Sequence, residues 1–271
     1  FRAMSASLLE DETYELLTPS ADFLPVLQAL DQRVERWLVA PALATPGDWD
    51  SYAWLTFTRA LGLFVAQRQG FNLERPLVEH DVLHWLSTEL ELMDANDLDQ
   101  VFHHWVDGNP LSRHYRRIAD APQVRKLLEN DSVMGWSGFS TQTLDREEAH
   151  RLRRQRMFVD TYRDVFNWTA LRAFELSQAA ALVCLASEIG MIDAIKAKPY
   201  ARRLTVESSV RFSSWEAVAV SLLRASVFQR AGEDSEEQLK ELAQDDERLH
   251  HYDQSVWQPL GWPQFGTLQV G

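Results

Sequence analysis

His80 and His84 stand four residues apart in the stretch His80-Asp81-Val82-Leu83-His84. On a helix that spacing aligns two imidazoles for a metal such as zinc. Asp81 takes the place that a glutamate base holds in metalloprotease motifs, and its carboxylate has a shorter reach. A helical wheel puts Val78, Val82, Trp85 and Leu86 on the core side, which sends His80, His84 and Glu91 to solvent. A catalytic metal works in a shielded cleft, so solvated histidines are the expectation and a surface metal site the alternative. His103-His104 and His250-His251 are adjacent pairs whose rings diverge on a helix.

Glu175 is the strongest polar candidate. It sits on a helix that is apolar nearly all round, where a carboxylate has to be paired, hydrogen-bonded or protonated. Arg172 one turn earlier, Arg59 on a second apolar helix and Arg224 are its candidate partners. A structural ion pair is expected, and an acid–base site built from Glu175, Arg172 and Arg59 is the alternative. Arg151, Arg153, Arg154 and Arg156 cluster on a helix whose buried stripe is Leu152, Val159, Tyr162 and Phe166, and they read as a solvated face. Cys184, the single cysteine, lies in an apolar helix without a nearby histidine and reads as an inert core thiol. It excludes an internal disulfide framework. No GxSxG, P-loop, dinucleotide glycine fingerprint or CxxC occurs in the chain.

These residues are carried by helices. Apolar positions recur at helical spacing nearly throughout, without a period-2 strand pattern. The spacing predicts helices over 21–39, 50–69, 76–93, 97–106, 111–118, 121–129, 144–166, 168–189, 193–207, 213–230 and 235–250. Capping boxes are expected at Ser7–Glu10, Asp97–Gln100 and Ser213–Glu216. Two helices, 52–66 and 173–189, lack a polar face and belong at the centre, with amphipathic helices around them. The fold class is all-α, a compact multi-helix globular domain. Phe1-Arg2-Ala3 precede Met4 and read as a cloning scar, leaving 4–271 as one domain. A two-lobe division into about 4–130 and 144–271, joined by the loop 130–143, is the alternative. The aromatic tail 256–265, with Trp257, Leu260, Trp262 and Phe265, is expected to pack onto the body rather than bind a partner.

The segments AFELSQAAALVCLASEIGMID (173–193) and FSSWE (212–216) resemble a bacterial family known as domain of unknown function 1266. Phe174 to Ser177 match the start of its pattern, Gly190 and Ile192 the end, and Phe212 to Glu216 its Ser-Trp-Glu element. The resemblance covers the C-terminal part of the helical body. It implies that Glu175, Ser214, Trp215 and Glu216 are structural motif residues, with Trp215 a core anchor and Ser213 or Ser214 a helix cap. Where that family places arginines this chain has Gln178 and Ser226. The family brings no established reaction, so the resemblance speaks to fold more than to function.

Forty acidic residues against 27 basic ones give a formal charge of −13. Such a field disfavours nucleic acid and anionic lipid and favours a basic partner. The acid is concentrated in two segments: Glu89, Glu91, Asp94, Asp97 and Asp99 in the first, and Glu233, Asp234, Glu236, Glu237, Asp245 and Asp246 in the second. The expectation is a cytoplasmic, non-enzymatic protein-binding module without a cofactor. Its most concrete form is a bacterial immunity or antitoxin-type protein whose acidic surface occludes a basic toxin domain such as a nuclease. An enzyme of unknown reaction around Glu175 is the competing class.

Overall fold

The computed structural model describes residues 20–39, 51–75, 77–92, 94–120, 146–163 and 168–263. The expected capping box at Ser7, the helix 121–129, the loop 130–143, Phe166 and Phe265 lie outside these residues. Every regular element among the described residues is helical. A 3₁₀ turn, Ala21–Phe23, leads into α1 (Leu24–Val39), followed by α2 (Ser51–Arg68), α3 (Glu79–Glu89), α4 (Ala95–Val106) and α5 (Pro110–Asp120). Then come α6 (Arg146–Tyr162), α7 (Arg172–Glu188), α8 (Ala194–Arg211), α9 (Trp215–Gln229) and α10 (Ser235–Tyr252). A π turn, Asp253–Trp257, and a last short turn, Gln258–Leu260, close the described chain.

Helix α7 is enclosed because its composition leaves nothing for water. From Arg172 to Ala186 only Gln178 and Cys184 are not buried, and α2, α4, α8 and α9 all pack against it. Small side chains let α2 come close. A Cβ on Gly62 would lie 2.7 Å from the Ala181 backbone nitrogen, so glycine is what permits this crossing. Helix α2 is less enclosed than α7: Leu61 to Ala66 are buried, but Thr56 and Arg59 reach solvent. Both helices end alike. Gly70 and Gly190 have φ of 86° and 72°, and the next amides, Phe71 and Met191, donate back to Ala66 and Ala186 at 2.9 Å each. This is the Schellman stop, which favours a residue without a Cβ.

Three local expectations are corrected. The capping box of α4 is formed by Asp94 and Asp97, not by Asp97 and Gln100. Asp94 Oδ1 accepts from the Asn96 and Asp97 amides at 2.6 and 3.1 Å, while Asp97 Oδ2 accepts from the Asp94 amide. In α9 the cap is Ser214 rather than Ser213, its Oγ accepting from the Ala217 amide. Val78 is not a core residue. It precedes α3 in an extended conformation and is 63% exposed, while Val82 and Leu86 are fully buried.

The tail packs back as far as Pro263. Trp257 stacks on Trp215 with ring centroids 4.9 Å apart and donates its indole N–H to the Ala60 carbonyl at 3.1 Å. Trp215 in turn donates to the Gly261 carbonyl at 2.8 Å, and Trp262 lies edge-on to both Trp215 and Phe57.

Candidate functional site

Glu175 and Arg172 are both fully buried and meet at 2.9 Å. Their surroundings explain the pair. Arg172 donates to the carbonyls of Trp105 (2.8 Å) and Val106, the last residues of α4. Glu175 accepts from the Ser112 amide and hydroxyl, each at 2.9 Å, in the first turn of α5. The cation thus sits at a helix C-terminus and the anion at a helix N-terminus, where each complements the exposed end of a peptide dipole array. The turn between them, Asp107-Gly108-Asn109, contains Asn109 at φ 47° and is followed by Pro110 at the first helical position. The pair is an internal clamp on an α4–turn–α5 corner. Burial lowers the Arg172 pKa, and the charge of Glu175 with its hydrogen bond opposes that shift. Every oxygen of Glu175 is engaged, so the carboxylate has no face turned to a substrate.

Arg59 does not join this site. It pairs with Glu188 at 2.5 Å and donates to the Leu73 carbonyl, at the far end of α7. Arg224 lies instead near Tyr162, Asp31 and Tyr115; burial lowers its pKa to about 10, against the opposing pull of these three groups. The Ser-Trp-Glu element lines a shallow indentation with Asp253, Trp257, Gln258 and Trp262. Its volume, about 10 Å³, has room for a single water. Asp253 accepts from Gln258 at 2.9 Å, and burial, with the charge of Glu216, raises its pKa. The indentation was invisible in the sequence because the π turn that carries Asp253 gives no periodic signal.

His80 and His84 are exposed, with ring centroids 6.4 Å apart, and no cluster of three metal-ligating groups occurs among the described residues. The arginine cluster is corrected: Arg154 is 1% exposed, not solvated. It is engaged by Asp22, the Glu233 carbonyl and the Ser235 hydroxyl, which ties the start of α1 to the start of α10. Arg156 pairs with Asp160 as expected, at 2.9 Å, and also donates to the Ile118 carbonyl. Cys184 is half-buried in α7, and burial pushes its thiol up to about 12, which keeps it protonated and unreactive.

The acidic residues divide into two groups. Asp245 and Asp246 are buried, so they do not belong to a partner surface. Asp245 accepts from Ser226 (2.5 Å) and Arg248 (2.8 Å); Asp246 holds Arg33, Arg36 and the Trp37 indole, latching α10 to α1. Asp94, Asp97 and Asp234 act as helix-cap groups, Asp99 accepts from the Tyr200 hydroxyl, and Glu233 faces Arg230. Glu89, Glu91, Glu236 and Glu237 remain exposed; for Glu91 this occurs beyond the end of α3, at φ 54°.

A family described as a protein of unknown function, DUF1266, matches residues 86–262, just under two thirds of the chain. The chain belongs to the DUF1266 family. The match begins inside α3, well before the segments that carried the resemblance, so the family's body includes the α4–turn–α5 corner and the clamp that serves it. No match was found among curated proteins or among solved structures. Two positions expected to be arginine in a DUF1266 chain take different paths here. Gln178 is half-buried on α7, and Ser226 bonds Asp245, whose cation comes from Arg248. Sequence reasoning missed Ser112, Asp253 and the depth of Arg154. The capping geometry after Pro110 could have signalled Ser112.

Proposed function

We propose that this DUF1266 protein is a binding module for a protein partner with a basic surface. The observation that carries this reading is the direction of its arginines. Arg33 and Arg36 serve Asp246; Arg154, Arg172, Arg203, Arg230 and Arg248 are likewise engaged by carboxylates of the chain itself. These cations are drawn onto internal partners, while Glu89, Glu91, Glu236 and Glu237 face water. The −13 charge therefore acts outward, where it steers a basic partner and raises association rates. The most concrete form is an immunity or antitoxin-type protein of the bacterial cytoplasm that occludes a basic toxin domain such as a nuclease, without a cofactor, nucleic acid or membrane. The closed geometry of Glu175 favours this reading over an enzyme at that position.

The test uses a basic partner recovered at low salt and a variant with Glu89, Glu91, Glu236 and Glu237 changed to Lys. The association rate is expected to fall at least tenfold and to lose most of its salt dependence. Equal rates for both proteins at every salt concentration would overturn the proposal. Co-expression with the product of a neighbouring toxin gene tests the antitoxin form, and unchanged cell survival counts against it.

A further inference from the structure

Helix α8 runs against the acidic character of the molecule. Its inner face, Ala197, Ala201, Leu204, Thr205 and Ser208, is buried toward α2 and α7. On the opposite face Ile195, Pro199, Arg202, Val206 and Val210 recur every three or four residues and form a second stripe. Ile195 is 82% exposed and Val210 75%, more than any other large hydrophobic among the described residues. The helix carries Lys196, Lys198, Arg202, Arg203 and Arg211 against a single acid, Glu207. Arg203 and Arg211 are paired with Asp107 and Glu207, but Lys196 and Arg202 have no ion pair among the described residues. A helix with a second, exposed apolar stripe framed by free cations has the form of a docking surface.

The complement of this stripe lies on the same chain. The start of α3 exposes Val78 (63%) and Leu83 (42%) beside the exposed carboxylates Glu79 and Asp81. We propose that α8 of one copy docks on the α3 face of a second copy. Aliphatic side chains then meet aliphatic side chains, and Lys196 and Arg202 meet Glu79 and Asp81. Because two different surfaces meet, the contact is head-to-tail rather than two-fold symmetric. The overall repulsion between two acidic copies is screened beyond about 8 Å at physiological salt, whereas the paired charges of the interface lie within that range. The interface is small. Helix α8 is roughly 27 Å long, and a strip of that length covers on the order of 300 Å² per copy, below the ~800 Å² of a standard interface. The association is therefore weak, with a dissociation constant of roughly 10⁻⁵–10⁻³ M. It involves none of the four glutamates of the proposed partner surface, so the two readings fail separately.

Sedimentation velocity of the full chain from about 10 µM to 1 mM, at near-physiological salt, tests the proposal. Two variants each remove one face: Ile195→Glu with Arg202→Glu on α8, and Glu79→Lys with Asp81→Lys on α3. All four positions are exposed, and circular dichroism checks that both variants fold. The wild type is expected to sediment faster as concentration rises, and each variant to remain monomeric. An equimolar mixture of the variants should regain a dimer and nothing larger, since each copy retains one working face. A wild type that stays monomeric at the highest concentration overturns the proposal, as does association sensitive to only one variant or a mixture that does not recover. Binding to phosphatidylglycerol vesicles lost only in the α8 variant, without self-association, would assign the stripe to an anionic membrane surface and also overturn it.

Discussion

Glu175 accepts three hydrogen bonds and neutralises the buried cation of Arg172. Changing Glu175 to Ala would leave that guanidinium enclosed without a counter-charge, and the Ser112 amide without its acceptor. Breaking one half of a buried ion pair costs about 3–5 kcal/mol, so the midpoint of denaturant unfolding should drop sharply. The double change Arg172→Met with Glu175→Leu is expected to recover much of this loss, because it removes both desolvated charges together. The burial of Glu175 and its link to Arg172 were legible, since an apolar helix cannot carry an isolated carboxylate and i+3 neighbours share a face. The partners on α4 and α5 were not, being backbone groups more than 60 positions away in sequence. Arg59 illustrates the same limit. It is on the right helix but at the wrong end of the crossing, and it meets Glu188 instead.

At the scale of elements, the α2–α7 crossing depends on Gly62. An alanine there would push its Cβ to 2.7 Å from the Ala181 nitrogen, a backbone atom that cannot move aside alone. Gly62→Ala should therefore destabilise the protein by about 1–3 kcal/mol despite alanine's higher helix propensity, and a lowered melting temperature would show it. Helix existence was read well because hydrophobic periodicity is a local property. Helix ends were read less well. The box of α4 begins three residues before the expected position, because two acidic runs of similar form compete and only the packed start of the helix selects between them. Val78 fits a wheel only if the helix includes it, and α3 begins one residue later.

For the whole molecule, the tail is a keystone. Trp257 is fully buried and touches Trp37 of α1, the Ala60 carbonyl of α2, Trp215 of α9 and Tyr252 of α10. Trp257→Ala is expected to cost about 3–5 kcal/mol through the cavity it leaves, measured by chemical denaturation and by faster proteolysis of the tail. The composition of the chain determined that it is helical, that 173–189 lies inside and that the charge is strongly acidic, because periodicity, hydropathy and net charge are sums over neighbouring residues. The tertiary structure alone decided which acids are available to a partner. Asp245 and Asp246 look like Glu236 and Glu237 in sequence, yet the first two are buried among Ser226 and the arginines of α1 and α10, while the last two face water. The same holds for Arg154 in its basic run and for the outer stripe of α8, since which face of a helix meets the core depends on the elements that pack around it.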